Sequence, residues 1–291
     1  MTTYFLQIMS YGIINGAFYG LVAIGLSLVF GVMSYLNLAH GALVMMGAYG
    51  AFWLFHLLNV DPFISIGIFI PVFFLFGLGL FKGLFQFLIN FSEHERIKNS
   101  LLISFGLLLI LPNLAILFWT ADERAVTTSY SGKVIALYGL RLPYIGLATL
   151  ALAVIVILAL HLFLTKTYFG KSIRAVSQDY EAAGLMGINT TKTYIVSFAL
   201  GISLASVPGI LVSLQGFNPE LSFELTNKAL IVVILAGVGS INGLLIGGLL
   251  LGAAEAGSVF FLGAAYREAV GLVLFVLFLL FRPQGLLGKR S

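Results

Sequence analysis

Cysteine is absent from the 291-residue chain. Disulfides, thiolate metal sites and a cysteine nucleophile are therefore excluded, and nothing follows about compartment. Charge is scarce as well. Asp, Glu, Lys and Arg make up 9% of the residues, where soluble domains carry about 25%. Hydrophobic residues reach 60% and the mean hydropathy is +1.08. No compact shape could hide so apolar a surface from water, so the chain belongs in a bilayer. At ~20 apolar residues per crossing, it holds roughly eight to ten helices in one membrane domain over 1–291. The basic residues are scattered, which argues against nucleic acid and fits the loops of a membrane protein.

Catalytic and nucleotide motifs are missing too. Gly170-Lys171-Ser172 looks like the end of a phosphate-binding loop, but the glycine required five residues earlier is Thr165. Gly237-Val238-Gly239 resembles the opening of a dinucleotide fingerprint, but the third glycine is replaced by Asn242, with no βαβ context. His40, His56, His94 and His161 lie in separate segments without metal-ligand spacing, so no metal site and no catalytic set is expected. The start, Met1-Thr2-Thr3-Tyr4, lacks the basic region of a cleaved signal, so the first span is expected to be retained.

Apolar spans read at about 8–33, 37–58, 63–89, 100–119, 143–165 and 191–215. A final block, 228–282, reads as three short spans broken near Gly239–Asn242 and Gly263–Arg267. The expected fold is an all-α polytopic bundle of about nine spans with broken or re-entrant helices. Arg96 and Lys98, then Lys166, Lys171, Arg174 and Lys192, then Arg282, Lys289 and Arg290 mark three basic regions. The positive-inside rule places these in the cytoplasm, the N-terminus outside and the C-terminus inside. The external loop 120–143 carries Val, Thr and Ile around Ser131-Gly132, which predicts a small β-hairpin. Arg267 and Glu268 fall at an external turn and are expected to be solvated.

A faint repeat pairs residues 23–34 with 229–240 and 40–51 with 242–253, matching Gly41, Leu43, Gly50 and Ala51 to Gly243, Leu245, Gly252 and Ala253. Two such halves are a common transporter design. The span count gives both copies the same direction, so the repeat is not read as inverted.

Two helix breaks interrupt apolar sequence. "SYLNLAHG" holds Asn37, His40 and Gly41, and "GVGSING" holds Gly239, Ser240, Asn242 and Gly243. A broken helix leaves free N–H groups and a positive dipole end at membrane depth, able to receive a carboxylate. The alternative is a plain interhelical turn with glycines for close packing. Glu255 is an acid within a span and a functional candidate by default; the alternatives are a place near an interface or a pairing with a neighbouring group.

The segment "GKSIRAVSQDYEAAGLMGIN", residues 170–189, is the least apolar stretch in the middle of the chain. Ile173, Val176, Tyr180, Ala183 and Gly187 form one stripe at steps of three and four. Asp179 suits the N-cap of a short helix over 180–186, and Gly187 the position after its end. On these grounds alone it is an amphipathic surface loop or a docking element.

Glu181-Ala182-Ala183-Gly184 and the following Leu185-Met186-Gly187-Ile188-Asn189 resemble the coupling segment of ABC-importer permeases. The wider run is similar to branched-chain amino acid permeases of the LivH type. So are "GLSLVFGVMSYLNLAHGALVMMGAYGAF" (25–52), "AGVGSINGLLIGGLLLGAAEA" (236–256) and "LLFRPQGLLGK" (279–289), four matches in the same order. Tyr180 departs from the pattern, where the family often has proline. The resemblance implies a non-enzymatic transport subunit of a bacterial or archaeal inner membrane, with a second homologous permease, two cytosolic ATPases that use ATP and Mg, and an extracytoplasmic solute-binding protein. It implies that 166–192 docks on an ATPase, with Arg174, Asp179 and Glu181 fixing register around Ala182, Ala183, Gly184 and Gly187 while the ATPase covers the apolar stripe. It implies branched-chain amino acids as solute, or urea and short amides as in close relatives. An ion-coupled secondary transporter is the rival of another class. It predicts several carboxylates deep in the spans, of which Glu255 is the only obvious one.

Overall fold

A computed structural model describes residues 2–137, 139–282 and 284–287. Lys289 and Arg290 of the basic tail lie outside the described residues. The helices are α1 (Thr2–Met33), α2 (His40–Leu58), α3 (Pro62–Leu80), α4 (Glu93–Trp119), α5 (Tyr144–Lys166), α6 (Tyr168–Val176), α7 (Tyr180–Leu185), α8 (Thr190–Ser213), α9 (Leu221–Ala236), α10 (Ile241–Phe261) and α11 (Arg267–Phe281). Eight helical stretches are long and apolar enough to cross a membrane. The ninth, α9, has 16 residues. At 1.5 Å per residue it reaches about 24 Å, short of the ~30 Å hydrocarbon core. The bundle is thus all-α and polytopic, as expected, with eight full-length spans and one short one among the described residues.

Local chemistry sets several boundaries. Asp61 caps α3 by accepting from the Phe63 N–H at 2.8 Å, with Pro62 at the first helical position. Ser92 and Glu95 form a reciprocal capping box at the start of α4, so this span opens seven residues before the expected 100. α3 runs on through a π-helical turn, Phe81–Phe85, and a 3₁₀ turn, Gln86–Asn90.

The spans divide into a buried core and an outer ring. α1, α2 and α8 carry most of the buried side chains, while α3, α4, α5 and α11 expose rows of large apolar residues. α1 and α10 run antiparallel with their backbones in contact. A Cβ at Gly12 would meet the Gly252 carbonyl, at Gly16 the Gly248 carbonyl, and at Gly20 the Leu244 carbonyl. Glycines spaced by four on facing helices allow this approach, and dispersion between backbones then holds the seam.

Each end of the bundle gathers particular loops. At one end Gln7 exchanges hydrogen bonds with the Arg141 backbone, the Tyr130 hydroxyl donates to Asp61, and Arg124 pairs with Phe217. The hairpin in this loop pairs Val134–Leu137 with Leu140–Pro143. The hairpin was expected around Ser131-Gly132; those residues form the turn that precedes it. At the other end lie the starts of α4 and α8, the α6–α7 segment and the stretch 284–287, whose Leu286 and Leu287 N–H groups donate to the last carbonyls of α9. The basic regions that the structure describes therefore share one end.

The two repeat copies run in the same direction. α1 and α9 both arrive at the basic end, and α2 and α10 both leave it. Their breaks differ. Residues 237–240 make a tight turn in which Gly237 and Gly239 take φ of 93° and 76°, which glycine adopts at no steric cost. Residues 34–39 are an irregular strap, ending in a turn at 38–39, that climbs back into the bundle.

A broken-helix crossing, a polar groove and an exposed tip

The strap begins where Ser34 takes a left-handed φ of 56° and turns the chain back on α1. Non-helical backbone at membrane depth is tolerated only where protein satisfies it or water lines it. Two serines of α4 do so: Ser100 accepts from the Leu36 N–H at 3.0 Å, and Ser104 donates to the Leu36 carbonyl at 2.9 Å. Asn37 is buried and its side-chain oxygen accepts from the Ala39 N–H. α2 therefore starts inside the protein, beside Gly25 of α1 and Gly201 of α8. The His40 Nε2–H donates to the Val22 carbonyl at 2.8 Å.

The first turns of α9 meet this start. Thr226 Oγ1 accepts from the Gly41 N–H at 3.0 Å and lies 3.0 Å from the Leu38 carbonyl. A Cβ at Gly41 would collide with the Ser222 carbonyl. Asn37, His40 and Gly41 are thus brought together where two helix N-termini cross inside the bundle. Gly239, Ser240, Asn242 and Gly243 do not join them. They form the turn at the basic end, where Ser240 caps α10 through the Gly243 N–H and Asn242 is exposed. Of the two readings of that break, the interhelical turn describes its geometry.

An open groove of about 820 Å³ runs between α4 and α11 with α9 as its floor. Phe105, Leu108 and Pro112 line one wall, Glu268 and Leu272 the other. Glu220, Phe223 and Glu224 of the floor are exposed, and Asn227 is partly so. The spans read from sequence stop at 215 and resume at 228, so these groups were missed. The signal was present: Glu220, Glu224 and Asn227 recur at helical spacing opposite the buried Ser222, Leu225, Thr226 and Ala229.

Glu255 is buried and paired. It accepts from Lys228 of α9, from Tyr19 of α1 at 2.8 Å and from Arg267 at 2.9 Å, while Arg267 also donates to the Tyr19 hydroxyl at 2.6 Å. Arg267 was expected to be solvated; its side chain is 42% exposed, and its guanidinium also reaches the buried carboxylate, which needs compensating charge. Among the described residues no cluster of His, Cys, Asp and Glu has the arrangement of a metal site.

At the basic end, α6 and α7 carry the segment singled out from sequence. Asp179 caps α7 by accepting from the Ala182 N–H at 2.9 Å, and Gly187 follows the helix with a φ of 82°. Ile173, Val176 and Ala183 are buried against the rest of this chain. Three members of the stripe therefore pack on the apolar floor that the neighbouring spans provide, while Tyr180 is half-buried and Gly187 exposed. Arg174, Glu181, Ala182 and Gly184 point outward, and Leu185 and Met186 form an apolar tip that is 90% and 83% exposed.

Residues 8–281 match the family described as branched-chain amino acid transport system / permease component. The chain is 30% identical to the high-affinity branched-chain amino acid transport system permease protein BraD of Pseudomonas aeruginosa, covering 98% of this chain and 96% of that one. It is 32% identical to the permease protein LivH of Salmonella typhimurium and 31% identical to LivH of Escherichia coli, with the same coverage. No solved structure matches the chain.

Proposed function

This chain belongs to the family of branched-chain amino acid transport permease components, and on that premise we propose that it forms one wall of the path by which branched-chain amino acids enter the cell. It is a multi-pass permease subunit of an ATP-binding cassette transporter, not an enzyme, and ATP is used by partner ATPases. A solute-binding protein delivers the cargo to such permeases.

The observation that carries the reading is the polar face of α9. Asn227 lies nine residues up α9 from Ala236, about 13 Å at 1.5 Å per residue. Hydrocarbon would not tolerate Glu224 and Asn227 exposed at that depth, so water or a protein wall must face them. A second, similar permease closing the groove opposite α9 provides both. The solute then passes between the two walls, its side chain against Leu108, Leu272 and Ile231, its charged groups near Glu224, Asn227 and the α9 N-terminus. The basic end faces the cytosol, where two ATPases receive the Leu185–Met186 tips of the two permeases. Closure of the ATPases pushes the tips and rocks the walls between outward-open and inward-open states. Glu255, the carboxylate on which the secondary-transporter rival would call first, is committed to Lys228 and Arg267.

The test uses a single cysteine at Asn227 in this cysteine-free chain. In the assembled transporter a water-soluble maleimide should label it, and leucine delivered by the binding protein should slow the labelling. Labelling blocked in every transport state would place α9 outside the path.

A further inference from the structure

The α7 segment meets the spans through a joint of one cation and two aromatic rings. The Arg96 guanidinium, from the first turn of α4, lies 5.2 Å from the Tyr180 ring centroid and 5.8 Å from that of Tyr194. The two rings are 5.1 Å apart. All three nitrogens of the guanidinium are engaged: Nε donates to the Phe91 carbonyl at 2.8 Å, Nη1 to the Tyr194 hydroxyl at 3.1 Å, and Nη2 to the Ile89 carbonyl at 2.9 Å. Arg96 is thus fixed to the 3₁₀ turn before α4 and to the start of α8. Tyr180 is different. It is the first residue of α7 and touches the joint through its ring face.

Two routes lead from the joint to the path. Arg96 sits on α4, whose Phe105, Leu108 and Pro112 form one wall of the groove. Tyr194 meets Tyr35 edge-on at 6.4 Å, and Tyr35 stacks near Phe81 and Phe85 at 6.3 and 6.1 Å. Tyr35 lies at the base of the strap, which continues through Asn37 into His40 and Gly41 at the α9 crossing. α4 also grips the strap directly, through Ser100 and Ser104 on Leu36 and through Glu93 on Ser34 at 2.8 Å. α4 and the strap therefore form one body, and Tyr180 is the face through which α7 bears on it.

We infer that Tyr180 and Arg96 are positioning residues for transport: they form the bearing through which movement of the α7 tip shifts α4 and the strap, and so opens or closes the path. The inference rests on the reading of α7 as the ATPase-docking element. A cation held against aromatic faces, with its nitrogens already hydrogen-bonded, resists separation yet lets the ring pivot, as a bearing requires. Ala183 and Ile173 tether the segment but reach neither wall of the groove.

The experiment uses the complete transporter, purified through a tag on this chain and reconstituted with its binding protein. Leucine uptake and phosphate release are measured together. Tyr180→Ala and Arg96→Met should each lower the leucine moved per ATP hydrolysed by about fivefold while the ATPases remain bound and active, since separating a partly exposed cation–π contact costs on that scale. Tyr180→Phe, which keeps the ring, should restore the ratio. The double variant should lose no more than either single one. A normal ratio in Tyr180→Ala, or an equal loss in Tyr180→Phe, overturns the bearing. Loss of ATPase binding in Tyr180→Ala also overturns it, since the residue would then serve docking. A Leu185→Asp, Met186→Asp variant distinguishes the premise. It should lose the ATPases, and if it retains full coupling the docking reading itself fails, whatever Tyr180 does.

Discussion

Glu255 shows how far a single residue can be read in isolation. Sequence alone placed it in a span and left its role open between function, an interface position and a pairing. Its partners sit 27, 12 and 236 residues away, so only the tertiary structure could choose the paired role. Lys228, itself buried, depends on it. Removing one member of a buried pair leaves an uncompensated charge and costs about 3–5 kcal/mol, whereas replacing both by apolar groups is often neutral. Glu255→Leu should therefore lower the melting temperature of the purified chain substantially. Glu255→Leu with Lys228→Met should recover most of that loss, with Arg267 free to turn to solvent. Equal destabilisation in the two variants would show that the network does not hold the charge balance. Asp179 is the contrasting case. Its partner is three residues on, so the cap was legible from the order of residues alone. Asp179→Ala should cost about 1 kcal/mol, read as earlier loss of α7 protection in hydrogen exchange.

Helices and turns were legible where periodicity or glycine spacing fixed them, and misread where depth decided the outcome. The breaks at 34–41 and 237–243 look alike as sequence, each with Ser, Asn and Gly in an apolar setting. They separate in space because α4 supplies Ser100 and Ser104 to the first, and among the described residues no such pair reaches the second. The apolar stripe of α6 and α7 was correctly seen as a stripe, but a stripe does not say which surface covers it. The short reach of α9 was hidden because its first turns carry Glu224, Thr226 and Asn227, which read as loop. The α1–α10 seam offers the clearest test at this scale. A leucine at Gly16 would drive its Cβ to 2.6 Å from the Gly248 carbonyl. Gly16→Leu should separate the two helices and abolish a stable purified chain, measured as aggregation on size-exclusion chromatography. Gly79→Leu, where a Cβ meets open space, should behave normally.

At the scale of the molecule, one end collects the basic loops and the other the 120–143 hairpin loop. The grouping was legible from charge because lysine and arginine were counted loop by loop. The cytosolic assignment of the basic end is testable in intact cells. A membrane-impermeant maleimide should label Gly132→Cys and leave Ala182→Cys untouched until the membrane is opened; the reverse pattern would invert the topology. The isolated chain should release no phosphate from ATP.

The strap between α1 and α2 also dictates an order of events during synthesis. Its backbone groups are satisfied by Ser100, Ser104 and Thr226, all made after it. A nascent chain halted before Thr226 still holds the Gly41 amide without that partner, and α2 has no α9 to cross. The first hairpin must therefore wait in the membrane in a provisional arrangement, vulnerable to quality-control proteases, until more than three-quarters of the polypeptide has left the ribosome.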